Sequence, residues 1–305
     1  MSDGIDIEFV REYYQKMTDQ EITRVLTQDS KGLTSDALKI VKEEIARRNL
    51  DSEILSAVEA QQQVYTDAYK IYDPEACPVD EPTRLWLEKS FLVLLNIFGR
   101  EHTVNRKVLT PERVDFPIRY DGSERSAFAT LKIIANQMEV DAEKITLDFY
   151  DERLRQITHG TPGGLYWGKG ENENFEISLA RKKLDEPENM VATLAHEIAH
   201  IKLLGENRME ENDERLTDLT TIFFGLGIFN ANAAFQTFSD ARYYGWSQSG
   251  YLTQMEWGYA LALFAHTRQE SQPQWASHLC MNVKADFLQG QNFISNNERD
   301  IFQQQ

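Results

Sequence analysis

Two histidines and a glutamate stand together in His196-Glu197-Ile-Ala-His200, an H-E-x-x-H arrangement. In a helix of 3.6 residues per turn, His196 and His200 lie one turn apart on the same face. Two imidazoles so placed can share one tetrahedral metal ion at about 2.0–2.1 Å. Glu197 falls about 100° round the helix, close to that ion without pointing at it. A carboxylate there suits a general base that takes a proton from metal-activated water. Three fixed letters also arise by chance on surface helices, so the elements that carry them decide their weight.

The carrying element reads as a helix from Asp185 to near Gly205, with Pro187 in its first turn and Glu188 completing an acidic capping box. Met190, Leu194, Ile198 and Ile201 form an apolar stripe, which Val191, Ala195, Ala199, Leu203 and Leu204 broaden. Such a helix is largely buried, and its histidines are embedded rather than solvated. Buried imidazoles need polar partners, and a metal ion supplies one to both.

A catalytic tetrahedral site takes a third protein ligand and leaves the fourth position open. Downstream, residues 205–225 are rich in acids, and helical geometry sorts them. From about Asn212 the chain reads as a capped helix on which Glu214, Thr217, Asp218, Thr221 and Gly225 share one face. Leu216, Leu219, Ile222, Phe223 and Leu226 cover the rest. Glu214 as a metal ligand and Asp218 as the hydrogen-bond partner of a ligand histidine fit that polar strip.

H-E-x-x-H followed by E-x-x-x-D on the next helix resembles the thermolysin-like metallopeptidases, the gluzincins, with their small relatives the minigluzincins. The resemblance covers roughly residues 113–229, with a shorter gap between the two motifs than in thermolysin. It implies a zincin-like domain in which His196, His200 and Glu214 hold one Zn²⁺, Glu197 is the base and Asp218 orients a histidine. The implied activity is hydrolysis of peptide bonds in a protein or peptide substrate, as an endopeptidase rather than an exopeptidase. The metzincin pattern is absent, since Leu203 and Glu206 stand where its glycine and third histidine would be. A rival reading from another class is a non-catalytic, metal-stabilised scaffold that binds a protein partner through helical modules. An intact Glu197 favours the enzyme, because a structural site has no use for a base beside the metal.

The rest of the chain must position these residues. Its 305 residues suffice for two or three folding units, and an apolar share of 41% marks a globular protein. The net charge of −17 argues against nucleic acid and against an anionic membrane surface as partners. Cys77 and Cys280 make no disulfide framework, and no signal segment is legible at the start, so the expected location is the cytoplasm. Residues 1–58 read as a small helical module, either a packing extension or a docking site for a protein partner. Its helices begin near Phe9, at the capping box Thr18–Glu21 and at Thr34/Ser35, the last with Ala37, Leu38, Val41 and Ile45 inward. Residues 59–83 read as a linker, 84–229 as the zincin-like domain and 230–305 as a helical C-terminal lobe, an α+β fold overall.

Within 84–229, Arg84–Phe98 reads as a core helix, too short and too charged to span a bilayer. The apolar run from Leu219 to Phe235 likewise reads as buried helix. Val114–Tyr120 reads as a strand, Glu124–Met138 as an amphipathic helix and Ile145–Phe149 as a strand. Leu165–Trp167 and Phe175–Leu179 form a hairpin. This order matches the upper lobe of the zincins. There an edge strand pairs with the substrate backbone, a role Phe175–Leu179 would take by position if it is not an ordinary sheet strand. Beyond Asn230 the reading is all helix, clearest over Thr253–Arg268 and Pro273–Leu288, with a polar-aromatic loop at 240–251. The resemblance asks for a Tyr, His or Arg at the developing oxyanion, and the loop offers Arg242, Tyr243, Tyr244 and Tyr251 without ranking them. His102, His159, His266 and His278 carry no ligand spacing.

Overall fold

The structure, a computed structural model, describes residues 7–25, 33, 35–48, 50, 75–151, 164–170, 172–240, 243–248 and 250–302. Helices α1 (Ile7–Lys16), α2 (Asp19–Arg24) and α3 (Ser35–Arg47) come first. The apolar spacing on α3 buries Val41 and Ile45, which close a small core with Tyr14, Ile22 and Ile40. Glu44, buried beside them, accepts hydrogen bonds from Arg47 and Arg48 at 2.6 Å each. Arg48 reaches on to the Met17 carbonyl at 2.7 Å, tying α3 to the end of α1. Residues 59–74 of the expected linker, with 51–58 before it, lie outside the described residues. Its last three residues, 81–83, open a helix instead.

That helix, α4 (Glu81–Phe98), starts where Asp80 accepts from the Thr83 amide at 2.9 Å. Leu87, Phe91, Leu94 and Leu95 turn into a second, much larger core. After α5 (Arg100–Asn105) the expected strand at Val114–Tyr120 does not form. Pro117 lacks an amide donor, and the Glu112 carbonyl turns the chain by accepting from Asp115 and Phe116. The stretch still buries Phe116 and Tyr120 before α6 (Glu124–Gln137), capped by Ser123.

A mixed three-stranded sheet follows, built from β1 (Ile145–Tyr150), β2 (Gly164–Lys169) and β3 (Phe175–Ala180) in the order β1-β3-β2. β1 runs parallel to β3 with Ile145 opposite Phe175, and β2 runs antiparallel to it with Gly164 opposite Leu179. The hairpin forms as expected, but β3 is the central strand. β2 takes the edge, and with it the strand beside the histidine helix. That helix, α7 (Pro187–His200), packs against α6 and β2. Pro187 opens it, but the capping box expected from Asp185 is absent: Glu186 is the cap and makes no side-chain bond. A π-helical turn, Ile201–Gly205, completes it.

α8 (Glu214–Phe223) and α9 (Gly227–Ala233) divide the apolar run expected as one buried helix. No helix among the described residues is long and apolar enough to cross a membrane. The all-helical expectation past residue 230 fails at once, because β4 (Phe235–Asp240) and β5 (Tyr243–Gln248) pair as an antiparallel hairpin. Its Phe, Thr, Tyr and Trp are strand formers whose enrichment outweighs the helical surroundings. α10 (Gln254–Thr267) forms as read. The helix expected over Pro273–Leu288 is broken into a 3-10 turn, Gln274–His278, and α11 (Met281–Asn296). Asn232 occupies the break, donating to the His278 carbonyl at 2.9 Å and accepting from the Cys280 amide at 2.8 Å. Both cysteines are free. From Leu87 to Ile301 the buried apolar side chains form one continuous cluster, in an α+β architecture.

Candidate metal centre

α7 delivers its histidines to one place, ring centroids 4.9 Å apart and nearly perpendicular at 87°. Asp213 caps α8 by accepting from the Leu216 amide, which puts Glu214 in the first turn. Glu214 Oε2 lies 3.1 Å from His196 Nε2 and 3.3 Å from His200 Nε2. Asn212 Nδ2 donates to the other oxygen of Glu214 at 2.8 Å. The three residues each offer a ligand atom, all within 4.8 Å of one another. The neighbouring acids go elsewhere: Glu206 accepts from Lys202 at 2.7 Å and Arg208 at 2.9 Å, while Glu210 and Glu211 are exposed. Gly225, expected on the same face of α8, lies beyond its end.

Asp218 is wholly buried at 0% exposure, one turn after Glu214. Its Oδ1 lies 2.8 Å from His196 Nδ1, and its Oδ2 accepts from the amides of Tyr251 at 2.6 Å and Leu252 at 3.2 Å. An Nδ1–H donated to Asp218 would leave Nε2, on the Glu214 side, as the nitrogen offered to a metal, the orientation a metal ligand needs. The buried Nδ1 of His200 has no hydrogen-bond partner among the described residues.

The electrostatics of the pocket follow from three carboxylates around two imidazoles. Burial disfavours a charged His196, yet hydrogen bonds to Asp218 and Glu214 outweigh it and hold its pKa up at about 10. Burial likewise opposes ionisation of Glu214, but bonds from His196, His200 and Asn212 pull it well below the usual carboxylate range. Both shifts mark a pocket that favours a cation. Two imidazole nitrogens and one carboxylate are also a donor set suited to zinc.

Glu197 is buried at 5% exposure, and that burial pushes its pKa up against the pull of His196 and His200. The Tyr166 backbone on β2 also opposes the rise, by less than either histidine. β2 comes close to Glu197 because residue 164 is glycine. A Cβ there would stand 2.7 Å from Thr193 Cγ2 and 2.8 Å from Glu197 Oε1. Tyrosine rings flank the ligands: Tyr166 stacks on His200 at 5.7 Å and 6°, Tyr251 on His196 at 5.8 Å and 20°.

The sequence-derived set His196, Glu197, His200, Glu214 and Asp218 is thus brought together. Of the four residues offered for the oxyanion, Tyr251 stands at the site. Arg242 and the side chains of Tyr243 and Tyr244 lie outside the described residues, as does His159. His266 lies beside Phe302 with the rings tilted, and His278 faces Glu112 at 3.5 Å. Sequence reasoning missed Gly164, Tyr166 and the backbone of 250–252. A Gly-Gly pair before an aromatic strand was the available signal for the first two; backbone amides leave none. No protein-family model, curated protein or solved structure matches the chain.

Proposed function

We propose that the protein is a zinc-dependent peptidase of the gluzincin type, with a zincin-like domain around α7, β2 and α8. The observation that carries this reading is the convergence of Glu214 on both histidines with Glu197 buried alongside. His196, His200 and Glu214 would hold the ion. Bound zinc supplies Lewis acidity, polarising a carbonyl and lowering the pKa of water to about 7.

The chain's own residues do the rest. Glu197 accepts a proton from the attacking water and returns it to the leaving amine. Its raised pKa suits that exchange, because burial makes the carboxylate a stronger base than an exposed one. Asp218 holds the ring of His196, and the rings of Tyr166 and Tyr251 lie against His200 and His196 at the site. The Tyr251 hydroxyl is kept protonated by burial and by Glu214, Asp218 and Glu197, so it remains a donor.

Replacing Glu197 by Gln tests the reading. The amide keeps the size and both histidines but accepts no proton at neutral pH. Zinc content and melting temperature should stay at wild-type values while hydrolysis of a general peptide substrate falls about 10²–10⁴-fold. Glu214→Ala should instead lose zinc, and Glu210→Ala and Glu211→Ala should keep it. A metal-stabilised scaffold predicts that Glu197→Gln changes nothing.

A further inference from the structure

We propose that Gly250, Tyr251 and Leu252 form a backbone latch that sets the metal-holding orientation of His196 through Asp218. This rests on the metal-site reading above and adds positioning residues to it that lie outside both motifs. Asp218 is fully buried, and His196 uses only one of its oxygens. The other oxygen would be a buried acceptor without a partner, a costly arrangement, were it not held by the amides of Tyr251 and Leu252. Two amides on one oxygen and an imidazole on the other leave the carboxylate no freedom to rotate. The direction of His196 Nδ1–H, and hence of Nε2, follows from it.

Gly250 makes the approach possible. Its φ of +86° is a conformation that side chains disfavour, and a Cβ there would stand 2.9 Å from Asp218 Oδ2. Asp218 cannot retreat, because both its oxygens are committed. The next residue adds a second hold, since the Tyr251 ring, 51% exposed at the rim, lies against the face of His196.

The latch is itself anchored. Thr253 and Glu256 form a reciprocal capping box at the start of α10, with the Thr253 amide donating to Glu256 Oε2 at 2.6 Å. Arg215, between Glu214 and Asp218 on α8, pairs with the same Glu256. The metal-site helix therefore grips the start of α10 at two points. The orientation of His196 depends on a segment more than 50 residues further along the chain.

The test uses the full chain and zinc alone. Zinc affinity is measured by competition with a chelator for wild type and Gly250→Ala, with the melting temperature of the zinc-free proteins as the control for folding. The latch predicts that Gly250→Ala still folds, with a melting temperature lowered by the positive φ and the close contact, and binds zinc about 10–100-fold more weakly, the usual cost of disturbing a residue that orients a ligand. Unchanged affinity overturns it. If Gly250→Ala does not fold, amide exchange in the wild type decides. Zinc should slow exchange at Tyr251 and Leu252 at least 10-fold beyond the average for α10, and no such slowing overturns the latch. If the wild type binds no zinc, the peptidase reading fails separately. The latch is then judged in the zinc-free protein: Asp218→Asn must speed exchange at those two amides, and identical exchange overturns it.

Discussion

His196 and His200 are the same residue type one helical turn apart, but their surroundings differ. Asp218 and the 250–252 backbone restrain His196 through its Nδ1. His200 Nδ1 has no such partner among the described residues, and its ring lies parallel to that of Tyr166. Glu197, between them in sequence, depends on a neighbour that has no side chain. Gly164→Ala would drive a methyl into Thr193 and Glu197, so β2 must move off α7 or the carboxylate must rotate. Zinc content should remain at the wild-type level. Turnover should fall by about 10²-fold, the cost of a misplacement of about 1 Å at a reacting group. Equal loss of zinc and activity would mean that Gly164 supports the ligands rather than the base.

At the scale of elements, the arrangement around the site depends on where regular structure stops. The π-helical turn ends the histidine helix against Tyr166 and Phe175, and β2 forms the sheet edge over Glu197. The break between the 3-10 turn and α11 shows how a polar side chain overrides helical periodicity. Trp275, Leu279, Val283 and Phe287 read as one helix, yet the Asn232 amide occupies both backbone groups at the gap. Asn232→Ala leaves the buried Cys280 amide without its acceptor and should destabilise the protein by about 1–3 kcal/mol. Chemical denaturation should show a lower midpoint with an unchanged slope. No shift in midpoint would mean that the extended conformation at Leu279 and Cys280 is set by apolar packing alone.

Over the described residues there are two cores, the small one within α1–α3 and the large one from Leu87 to Ile301. They differ in how polar groups enter them. Glu88, inside the large core, is bound by Arg84, Tyr259 and the Phe302 amide, tying α4 and α10 to the end of the described chain. In the small core Glu44 bridges Arg47 and Arg48, whose hydrogen bonds outweigh burial and lower its pKa from 4.5 to about 2. A lowered carboxyl pKa contributes stability that is complete above 4.5 and lost as pH falls toward 2. The N-terminal helices should therefore lose protection from amide exchange across that window. Glu44→Gln should remove the pH dependence, and an unaltered acid transition in that variant would assign it to other groups.

Local periodicity alone determined that His196 and His200 share a helix face, that Glu214 and Asp218 share another, and where most helices run. Helix geometry is fixed over three or four residues, so it is written in the spacing of neighbours. The same spacing singled out Glu214 among the acids of the 206–214 segment, but its meeting with the histidines in space was decided by the packing of α8 on α7. Strand order was not legible, since an alternating strand reads alike at an edge and at the centre of a sheet; β3 became central only because β1 and β2 pair with it. The turn at 114–120, the hairpin at 235–248 and the break at 279–280 were decided by contacts between segments far apart in the chain. The close approach of β2 to Glu197 and the grip of residues 250–252 on Asp218 belong to tertiary structure for a further reason. They are made by a missing side chain and by backbone amides, groups that carry no letter in a sequence.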